Sequence, residues 1–303
     1  MIFELPAPSL HFDVELDDGA RIRVRRHGNP GGARVLLSHG NGFASDAYFP
    51  YWRYLLHDYD LMIFDFRNHG QNVPAEPPNH TYAQLGRDLD RVVQDIGSRT
   101  GAKMTIGIFH SMSARTAMKH AIEIGWCWDA LLLFDPPDVA PPGHSTYAAM
   151  EAFEKRLTEF ARNRRRQFAS VQELADEYLQ SRATSRWVPG AHELMARSVL
   201  RKNPNGGGFV LTCAPENEAG IYAEAMTLNL WPMASEFGGP VKLLGADPAM
   251  KGTPATAAAN QALGQEGKYD YACVKDTGHL MQIERPDECY RLTMEFLAEH
   301  GLG

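Results

Sequence analysis

Six short apolar segments recur along the 303-residue chain, and helical patterns separate them. Most of these segments end in Gly, Asp, Ser or Pro. In chain order they are ARVLLSHG, DLMIFDFRNHG, KMTIGIFHS, WDALLLFDPP, PVKLLGADP and the weaker YDYACVKDTGH. Continuous apolar runs of this length are typical of strands buried on both faces of a parallel sheet. Their alternation with helices predicts an α/β fold, in which right-handed crossovers bring the carboxyl ends of all parallel strands to one edge.

Local signals place the flanking elements. The segment LHFDVELDDGARIRVRRHG alternates apolar and polar residues on both sides of Asp18-Gly19, which predicts a hairpin. Thr81 followed by Gln84 forms a capping-box signature at the start of a helix. Three further helices are predicted in the sheet region. They cover residues 113–124, a stretch that has Pro254 as its first helical residue, and residues 286–300.

The alternation breaks between Asp138 and Pro240, where no parallel strand is predicted. Helical stretches at about 147–168 and 171–181 occupy part of this interval, and Ser170 with Glu173 gives the second of them a capping box. We therefore expect an inserted helical cap. The predicted division is an α/β core of residues 1–138 and 236–303, and a cap of residues 139–235.

Charge and composition exclude several classes of function. The formal net charge is −7, so no global basic field favours nucleic acid, and the basic run at 162–166 is interpreted as one solvated helix face. The N-terminus has neither the basic start nor the apolar run of a signal peptide, and no stretch of about 18 apolar residues predicts a membrane span. Four widely spaced cysteines argue against a zinc site and a disulfide framework. They are Cys127, Cys213, Cys273 and Cys289. We expect a cytoplasmic protein without metal.

Ser111 ends one apolar segment and begins a helix, which exposes its hydroxyl at the carboxyl edge of the predicted sheet. The helix N-terminus also offers free backbone N–H groups, which suits a nucleophile beside a developing oxyanion. A serine in this position is commonly only a helix cap, so companions are needed. Asp247 and His279 each follow a later strand, and the His39-Gly40-Asn41 loop follows an earlier one. All of them reach the edge where ligands bind in such sheets.

At this point the chain resembles the α/β-hydrolase superfamily, of the type that has a helical cap. The resemblance rests on the segments HGNG, DFRNHG, HSMSA and TGHLMQIERPDE, and it covers nearly the whole chain. It implies Ser111 as nucleophile, His279 as base and Asp247 as acid. It also implies an oxyanion hole made by the backbone N–H groups of Asn41 and Met112.

Two departures from the family pattern stand out. The family usually has glycine on both sides of the nucleophile, as Gly-x-Ser-x-Gly, whereas this chain has Phe109 and Ser113. Phenylalanine is too large for such a close turn unless a neighbouring strand leaves room or the turn is displaced. The acid is also offset from the strand glycine, Gly245. Asp135, at the end of the preceding strand, is therefore the alternative acid, with Asp247 preferred.

These features predict a cofactor-independent serine hydrolase that acts on a carboxylic ester or lactone through an acyl-enzyme. Two alternatives remain: hydrolytic carbon–carbon cleavage of a diketone by the same residues, and a slow-turnover ligand-binding or signalling homologue. No Gly-x-Gly-x-x-Gly follows the first parallel strand, so no dinucleotide is expected. The partner is a small molecule, without nucleic acid or membrane, and the oligomeric state stays open, a homodimer included. Residues predicted to line the substrate pocket are Phe43, Trp187 and Trp231.

Overall fold

The structure, a computed structural model, describes residues 3–303. Eleven strands are present among these residues. In chain order they are β1 Leu10–Glu15, β2 Arg21–Gly28, β3 Arg34–Leu37, β4 Asp60–Phe64, β5 Thr105–His110, β6 Ala130–Phe134, β7 Gln167–Phe168, β8 Leu200–Lys202, β9 Phe209–Leu211, β10 Val241–Gly245 and β11 Asp270–Cys273.

Eight of the strands form one sheet in the order β1-β2-β4-β3-β5-β6-β10-β11. The last six strands in this order run parallel. Strand β2 is antiparallel to β4, and β1 pairs with β2 as the hairpin predicted around Asp18-Gly19. The prediction of an α/β fold with a mostly parallel sheet is confirmed, and all six apolar segments contain one of its parallel strands.

Helices cover both faces of this sheet. In chain order the helices are α1 Phe49–Trp52, α2 Tyr82–Thr100, α3 Met112–Glu123, α4 Tyr147–Arg162, α5 Val171–Gln180, α6 Ala191–Val199, α7 Pro215–Glu224, α8 Ala255–Glu266, α9 Met281–Glu284 and α10 Pro286–Glu299. Short 3₁₀ segments occur at Ser45–Tyr48, Arg53–Leu55, Ala225–Thr227 and Ala234–Glu236. The predicted cap of α2 is present, because Thr81 Oγ1 accepts a hydrogen bond from the Gln84 N–H at 3.2 Å. Pro254 is the N-cap of α8, one position before the predicted placement.

Strand β6 shows how the sheet divides the core in two. Leu132 and Phe134 point into the cluster that contains α1 and α10, and Leu131 and Leu133 point into the cluster that contains α2. All four side chains are fully buried. The alternation follows from the two-residue period of a strand, so burial on both faces explains why β6 contains no polar residue.

The interval 139–235 holds α4 to α7 and a small antiparallel sheet of order β7-β9-β8. The predicted helix over 147–168 is too long, because α4 ends at Arg162 and Phe168 pairs with Phe209 in the small sheet. Arg164 lies in the turn between them, where its guanidinium binds the carboxylate of Glu218 on α7. The interval is thus helical with a short sheet, while its independence as a cap remains a prediction.

Candidate active site

Ser111 lies at the sharp turn between β5 and α3. Its backbone has φ 53° and ψ −116°, a conformation that L-residues rarely adopt, and its N–H donates to the Phe134 carbonyl at 2.9 Å. Ser113 closes the turn from the helix side. Its hydroxyl accepts from the His110 N–H at 2.9 Å and donates to the His110 carbonyl at 3.0 Å. The serine that replaces the second family glycine therefore stabilises the turn through two hydrogen bonds to the His110 backbone.

The room for Phe109 comes from its own strand. Its ring is fully buried and packs edge-to-face on Trp128, with ring centroids 5.4 Å apart. Gly107 lies two residues earlier on the same face of β5. A Cβ on Gly107 would approach the Phe109 ring to 2.6 Å and a Leu131 methyl to 2.5 Å. The missing side chain at Gly107 thus makes the space that the bulky residue at the turn occupies.

Three side chains from different strand ends form one hydrogen-bonded chain. The Ser111 hydroxyl lies 2.9 Å from His279 Nε2, and His279 Nδ1 lies 2.5 Å from the Asp135 carboxylate. A carboxylate accepts, so Nδ1–H donates to Asp135 and leaves the Nε2 lone pair for the serine proton. Ser111 is 5% exposed and the His279 side chain 26% exposed, so the reacting groups are reached from solvent through a restricted opening.

Asp135 is held firmly in this position. It is fully buried, with φ 44°, and it accepts hydrogen bonds from Thr256 Oγ1 at 2.6 Å and Asn260 Nδ2 at 3.0 Å, both on α8. The Ala246 N–H adds a third donor at 3.2 Å. Together with His279, these donors satisfy the carboxylate, which offsets the cost of burying its charge.

The preference for Asp247 as the partner of His279 is corrected by this geometry. The Asp247 carboxylate accepts from the backbone N–H groups of Ala249 at 2.9 Å and Asp276 at 3.1 Å, so it closes turns at the end of β10. His279 Nδ1 makes its hydrogen bond to Asp135 instead. The acid beside His279 is Asp135, the alternative left open by the sequence.

The oxyanion hole predicted from the N–H groups of Asn41 and Met112 stays a prediction, and the neighbouring hydrogen bonds bear on it. In the loop after β3, the Gly40 N–H donates to Tyr48, the Gly42 N–H to His69, and the Phe43 N–H to the Gly40 carbonyl. Among the residues described, the Asn41 N–H has no such partner. Met112 is the first residue of α3, where an N–H has no partner within the helix. A Cβ on Gly40 would lie 3.2 Å from Ser111 Cβ, so this loop packs directly against the serine.

The interval 139–235 reaches the same loop. The Asn41 side-chain amide donates to the Glu218 main-chain carbonyl on α7 at 2.8 Å. The Glu218 carboxylate fills the space beside Gly42, where a Cβ would come within 2.6 Å. Arg164 neutralises this carboxylate at 2.6 Å and also donates to Tyr178 at 2.8 Å. A buried ion pair thus lies against the candidate oxyanion loop.

A second buried cluster surrounds Arg115, one helical turn after Ser111 on α3. Its guanidinium contacts Asp138 at 3.3 Å, Glu154 of α4 at 3.3 Å and the Tyr82 hydroxyl at 3.2 Å. This cluster was not predicted from the sequence. An arginine among the small residues of SMSARTA is a signal that could have pointed to it, whereas nothing marks Glu154 in sequence.

The two carboxylates of this cluster are underpartnered. Asp138 Oδ2 and Glu154 Oε2 are buried and have no hydrogen-bond partner among residues 3–303. Burial raises the pKa of Asp138 to about 6 and that of Glu154 to about 7, although Arg115 acts in the opposite direction. A positive charge on His279 also lowers the pKa of Glu154. The cluster therefore changes its protonation close to neutral pH.

The three pocket candidates occupy different places. Phe43 is half-buried and follows the candidate oxyanion loop directly. Trp187 stacks on His192, with ring centroids 5.3 Å apart. Trp231 donates through Nε1 to Glu266 at 3.1 Å, at the C-terminal end of α8. The contact with Glu266 accounts for Trp231 without a substrate, and the assignment of all three residues to a pocket stays a prediction.

One group of possible metal ligands lies under the same loop. Ligand atoms of His69, His80 and Cys213 fall within 4.8 Å of one another. His69 Nδ1 bonds to the Arg67 carbonyl at 2.9 Å, so it carries the hydrogen, and Nε2 accepts from the Gly42 N–H at 3.1 Å. Both ring nitrogens of His69 are occupied, and the remaining two side chains do not make a metal site.

Comparison with known proteins places this geometry in a family. The model of the alpha/beta hydrolase family matches residues 35–292, so the chain belongs to that family. No curated protein matches the sequence. None of the helices in the described part of the chain has the length and apolar character needed to span a membrane.

Solved structures show the same fold at low identity. An E-2-(acetamidomethylene)succinate hydrolase is 17% identical, with a TM-score of 0.73 over 95% of this chain and 100% of that one. A thioesterase domain from the curacin biosynthetic pathway is also 17% identical, with a TM-score of 0.69 over 94% and 98%. A thermophilic esterase from Thermogutta terrifontis is 18% identical, with a TM-score of 0.66 over 96% and 99%.

Proposed function

We propose that the protein is a serine hydrolase that cleaves a small carboxylic ester or lactone through an acyl-enzyme on Ser111. The observation that carries this proposal is the continuous chain of hydrogen bonds from Ser111 through His279 to Asp135. A serine hydroxyl is a weak nucleophile until a neighbouring base removes its proton, and this arrangement supplies that base in a fixed tautomer.

In the first step, Ser111 Oγ attacks the substrate carbonyl while its proton passes to His279 Nε2. The imidazole becomes positively charged, and Asp135 stabilises that charge through the hydrogen bond at Nδ1. The carbonyl oxygen becomes an oxyanion, and the N–H groups of Asn41 and Met112 are the donors that receive it. Donors that are already in position cost no reorganisation when the charge develops.

In the second step, His279 returns the proton to the leaving alcohol, and the acyl group stays on Ser111. A water molecule then takes the place of the alcohol, loses a proton to His279 and attacks the acyl carbonyl. The bond between the acyl carbon and Ser111 Oγ then breaks, His279 returns the proton to Oγ, and the carboxylic acid is released. For a lactone, the alcohol and the acid are two ends of one molecule.

The neighbours support acyl-bond hydrolysis as the reaction class. Their names describe an esterase, a thioesterase domain and a hydrolase of a succinate derivative. These proteins share the fold with this chain at low identity, so they guide the choice of probes. The substrate panel therefore includes esters with neutral and carboxylate-bearing acyl groups, a thioester, a lactone and a diketone.

The experiment is an intact mass after treatment with a fluorophosphonate probe, followed by mapping of the labelled peptide. We expect one label on Ser111 in the wild-type protein and none in Ser111→Ala. Turnover of the best ester should fall by roughly 10⁴-fold or more in that variant, the scale seen when a triad nucleophile is removed.

Ser113→Ala is the matched control, because Ser113 is two residues away and its hydroxyl is committed to the His110 backbone. The control should still carry the label on Ser111. A label that persists in Ser111→Ala contradicts the proposal. Turnover of the diketone in preference to every ester would replace ester cleavage by carbon–carbon cleavage.

A further inference from the structure

A tyrosine and a histidine beside the nucleophile link all three segments of the candidate site. The Tyr48 hydroxyl lies 2.7 Å from His110 Nδ1, and His110 Nε2 lies 2.8 Å from the main-chain carbonyl of His279. The Gly40 N–H donates to the Tyr48 oxygen at 3.1 Å. Tyr48 and His110 are both fully buried.

The direction of these hydrogen bonds follows from the chemistry of the atoms. A carbonyl can only accept, so His110 Nε2 carries the hydrogen that points at His279. In a neutral ring Nδ1 is then the acceptor, and the Tyr48 hydroxyl donates to it. The Tyr48 oxygen keeps a lone pair for the Gly40 N–H. Each donated hydrogen in this series of hydrogen bonds has an acceptor, and all donors therefore have a fixed direction.

His110 stays neutral in this position. Burial holds its pKa well below the ordinary range, and the neighbouring imidazole of His279 lowers it further. The two rings are 4.6 Å apart between centroids. A charged His110 would place a hydrogen on Nδ1, which removes the acceptor that Tyr48 needs. It would also oppose the positive charge that the mechanism requires on His279.

We propose that Tyr48 and His110 are positioning residues that fix the Asn41 amide and the His279 ring relative to Ser111. One end of the chain holds Gly40, whose neighbour Asn41 supplies the oxyanion donor. The other end of this series of hydrogen bonds holds the backbone of His279. His110, the residue that precedes Ser111, lies in the middle. The inference rests on the proposed function for its effect on rate, and on the hydrogen bonds alone for its effect on structure.

Two substitutions at His110 separate the two ends of the chain. Glutamine places an amide nitrogen near the position of Nε2, so His110→Gln keeps the donor to His279 and loses the acceptor for Tyr48. Asparagine places an oxygen near the position of Nδ1, so His110→Asn keeps that acceptor and loses the donor. Tyr48→Phe breaks the same contact as His110→Gln, and it also removes the acceptor of the Gly40 N–H.

We expect each of the three variants to lower kcat by roughly 10- to 100-fold with KM within about threefold. A displacement of about 1 Å at a reacting group can cost about 10²-fold, and so can the loss of one oxyanion donor. Tyr48→Phe combined with His110→Gln should be no worse than Tyr48→Phe alone, because the contact that glutamine removes is already missing. Tyr48→Phe combined with His110→Asn should multiply the two losses.

Tyr51→Phe is the matched control. Tyr51 is also fully buried, and its hydroxyl bonds to Thr293 on α10 at 2.8 Å, so the substitution removes a comparable hydrogen bond outside the chain. It should leave kcat within about threefold, since loss of one buried hydrogen bond costs stability of about 1 kcal/mol and not alignment.

A measurement independent of turnover is the ¹⁵N spectrum of the histidine rings. In the wild-type protein and in Tyr48→Phe, His110 should show a neutral Nε2–H ring from pH 5 to 9, because the His279 carbonyl still accepts that hydrogen. The His110 Nδ1 signal should move in Tyr48→Phe, because this nitrogen loses the hydroxyl that donates to it. The His279 ring signals should move in His110→Asn and not in Tyr51→Phe. Unchanged His279 signals in His110→Asn, or wild-type kcat in His110→Asn and Tyr48→Phe, overturn the inference. A wild-type protein without label and without turnover overturns the proposed function instead, and the His279 signals still decide the inference.

Discussion

Strands β6 and β10 lie side by side in the sheet, and an aspartate follows each of them, yet the two carboxylates have different surroundings. Asp135 follows β6, is fully buried and contacts His279. Asp247 lies two residues after β10 and accepts from the backbone N–H groups of Ala249 and Asp276. One carboxylate faces the reacting groups, and the other holds a surface turn together.

The backbone explains the difference. Asp135 has φ 44°, and its carboxylate accepts hydrogen bonds from Thr256 and Asn260 on α8. These donors are more than 100 positions away in the sequence. Asp247 instead bonds to residues within 30 positions. The role of an acid at a strand end therefore depends on the hydrogen-bond donors that the fold brings to it, and not on its distance from the strand glycine.

The other aspartate of the β6 loop sharpens this lesson. Asp138 is as deeply buried as Asp135, but its second carboxylate oxygen has no hydrogen-bond partner in the described part of the chain, and burial raises its pKa to about 6. Hydrogen bonds from the Asp276 and Ala249 amides lower the pKa of Asp247. Burial with too few donors thus favours the protonated acid, and donors near solvent favour the carboxylate.

The largest expected effect is that of Asp135→Asn. An amide in place of the carboxylate no longer fixes the Nδ1–H tautomer of His279, and kcat should fall by about 10⁴-fold, the scale known for triad acids. Steady-state turnover of the best ester and the rate of fluorophosphonate labelling both test it. If Asp247→Asn proves more harmful than Asp135→Asn, the assignment of the two strand ends is reversed.

The next effect concerns stability, through Glu154→Gln. The folded pKa of Glu154 is raised to about 7 from an ordinary value of 4.5, so the native state holds a proton that the unfolded state has lost. Stability from this group is therefore present below about pH 4.5 and is lost as pH rises through about 7. The free energy of unfolding of the wild-type protein should drop between pH 5 and pH 8 by on the order of 1–3 kcal/mol more than that of the variant, since a pKa difference of one corresponds to about 1.4 kcal/mol.

Urea unfolding at the two pH values measures this difference. Glu151→Gln is the control, because Glu151 is on the same helix and its partner Lys155 is mostly exposed. Exposed pairs of this kind contribute little, so the control should follow the wild-type pH dependence. Equal pH dependence in Glu154→Gln and wild-type protein would contradict the raised pKa.

The smallest effect on activity is expected for Asp247→Asn. The asparagine oxygen can still accept one of the two backbone hydrogen bonds, and no triad residue contacts this side chain in the described structure, so kcat should stay within about threefold of wild type. The assay is turnover of the same ester. A loss of more than about tenfold would show that the turn at the end of β10 carries part of the alignment of His279.

Most of the sheet could be predicted from the sequence, because strands buried on both faces have few alternatives to continuous apolar runs. Ser111 and His279 could be placed because each ends such a run. The helix over 147–168 was too long, since the turn at Arg164 depends on Glu218, which lies 54 positions away. Local periodicity contains no information about such a partner.

The sequence did not contain the information needed to choose Asp135 over Asp247 or to find the charged clusters. Nothing near Asp135 in sequence indicates that Thr256 and Asn260 lie above it. The Arg115 cluster joins α3, α4 and the β6 loop, so its members become neighbours only after the chain has folded. Contacts between distant segments decided both cases.

The pairing of Gly107 with Phe109 has a consequence for how such chains diverge. Each position limits the other, because any side chain on Gly107 would collide with the Phe109 ring while that ring is present. A lineage that exchanges the usual glycine before the serine for phenylalanine must already carry glycine two positions earlier. The ancestor from which this change is accessible has glycine at positions 107 and 109. Relatives of this chain should therefore be recognisable by a glycine four residues before the serine, even where the family glycine two residues before the serine is absent.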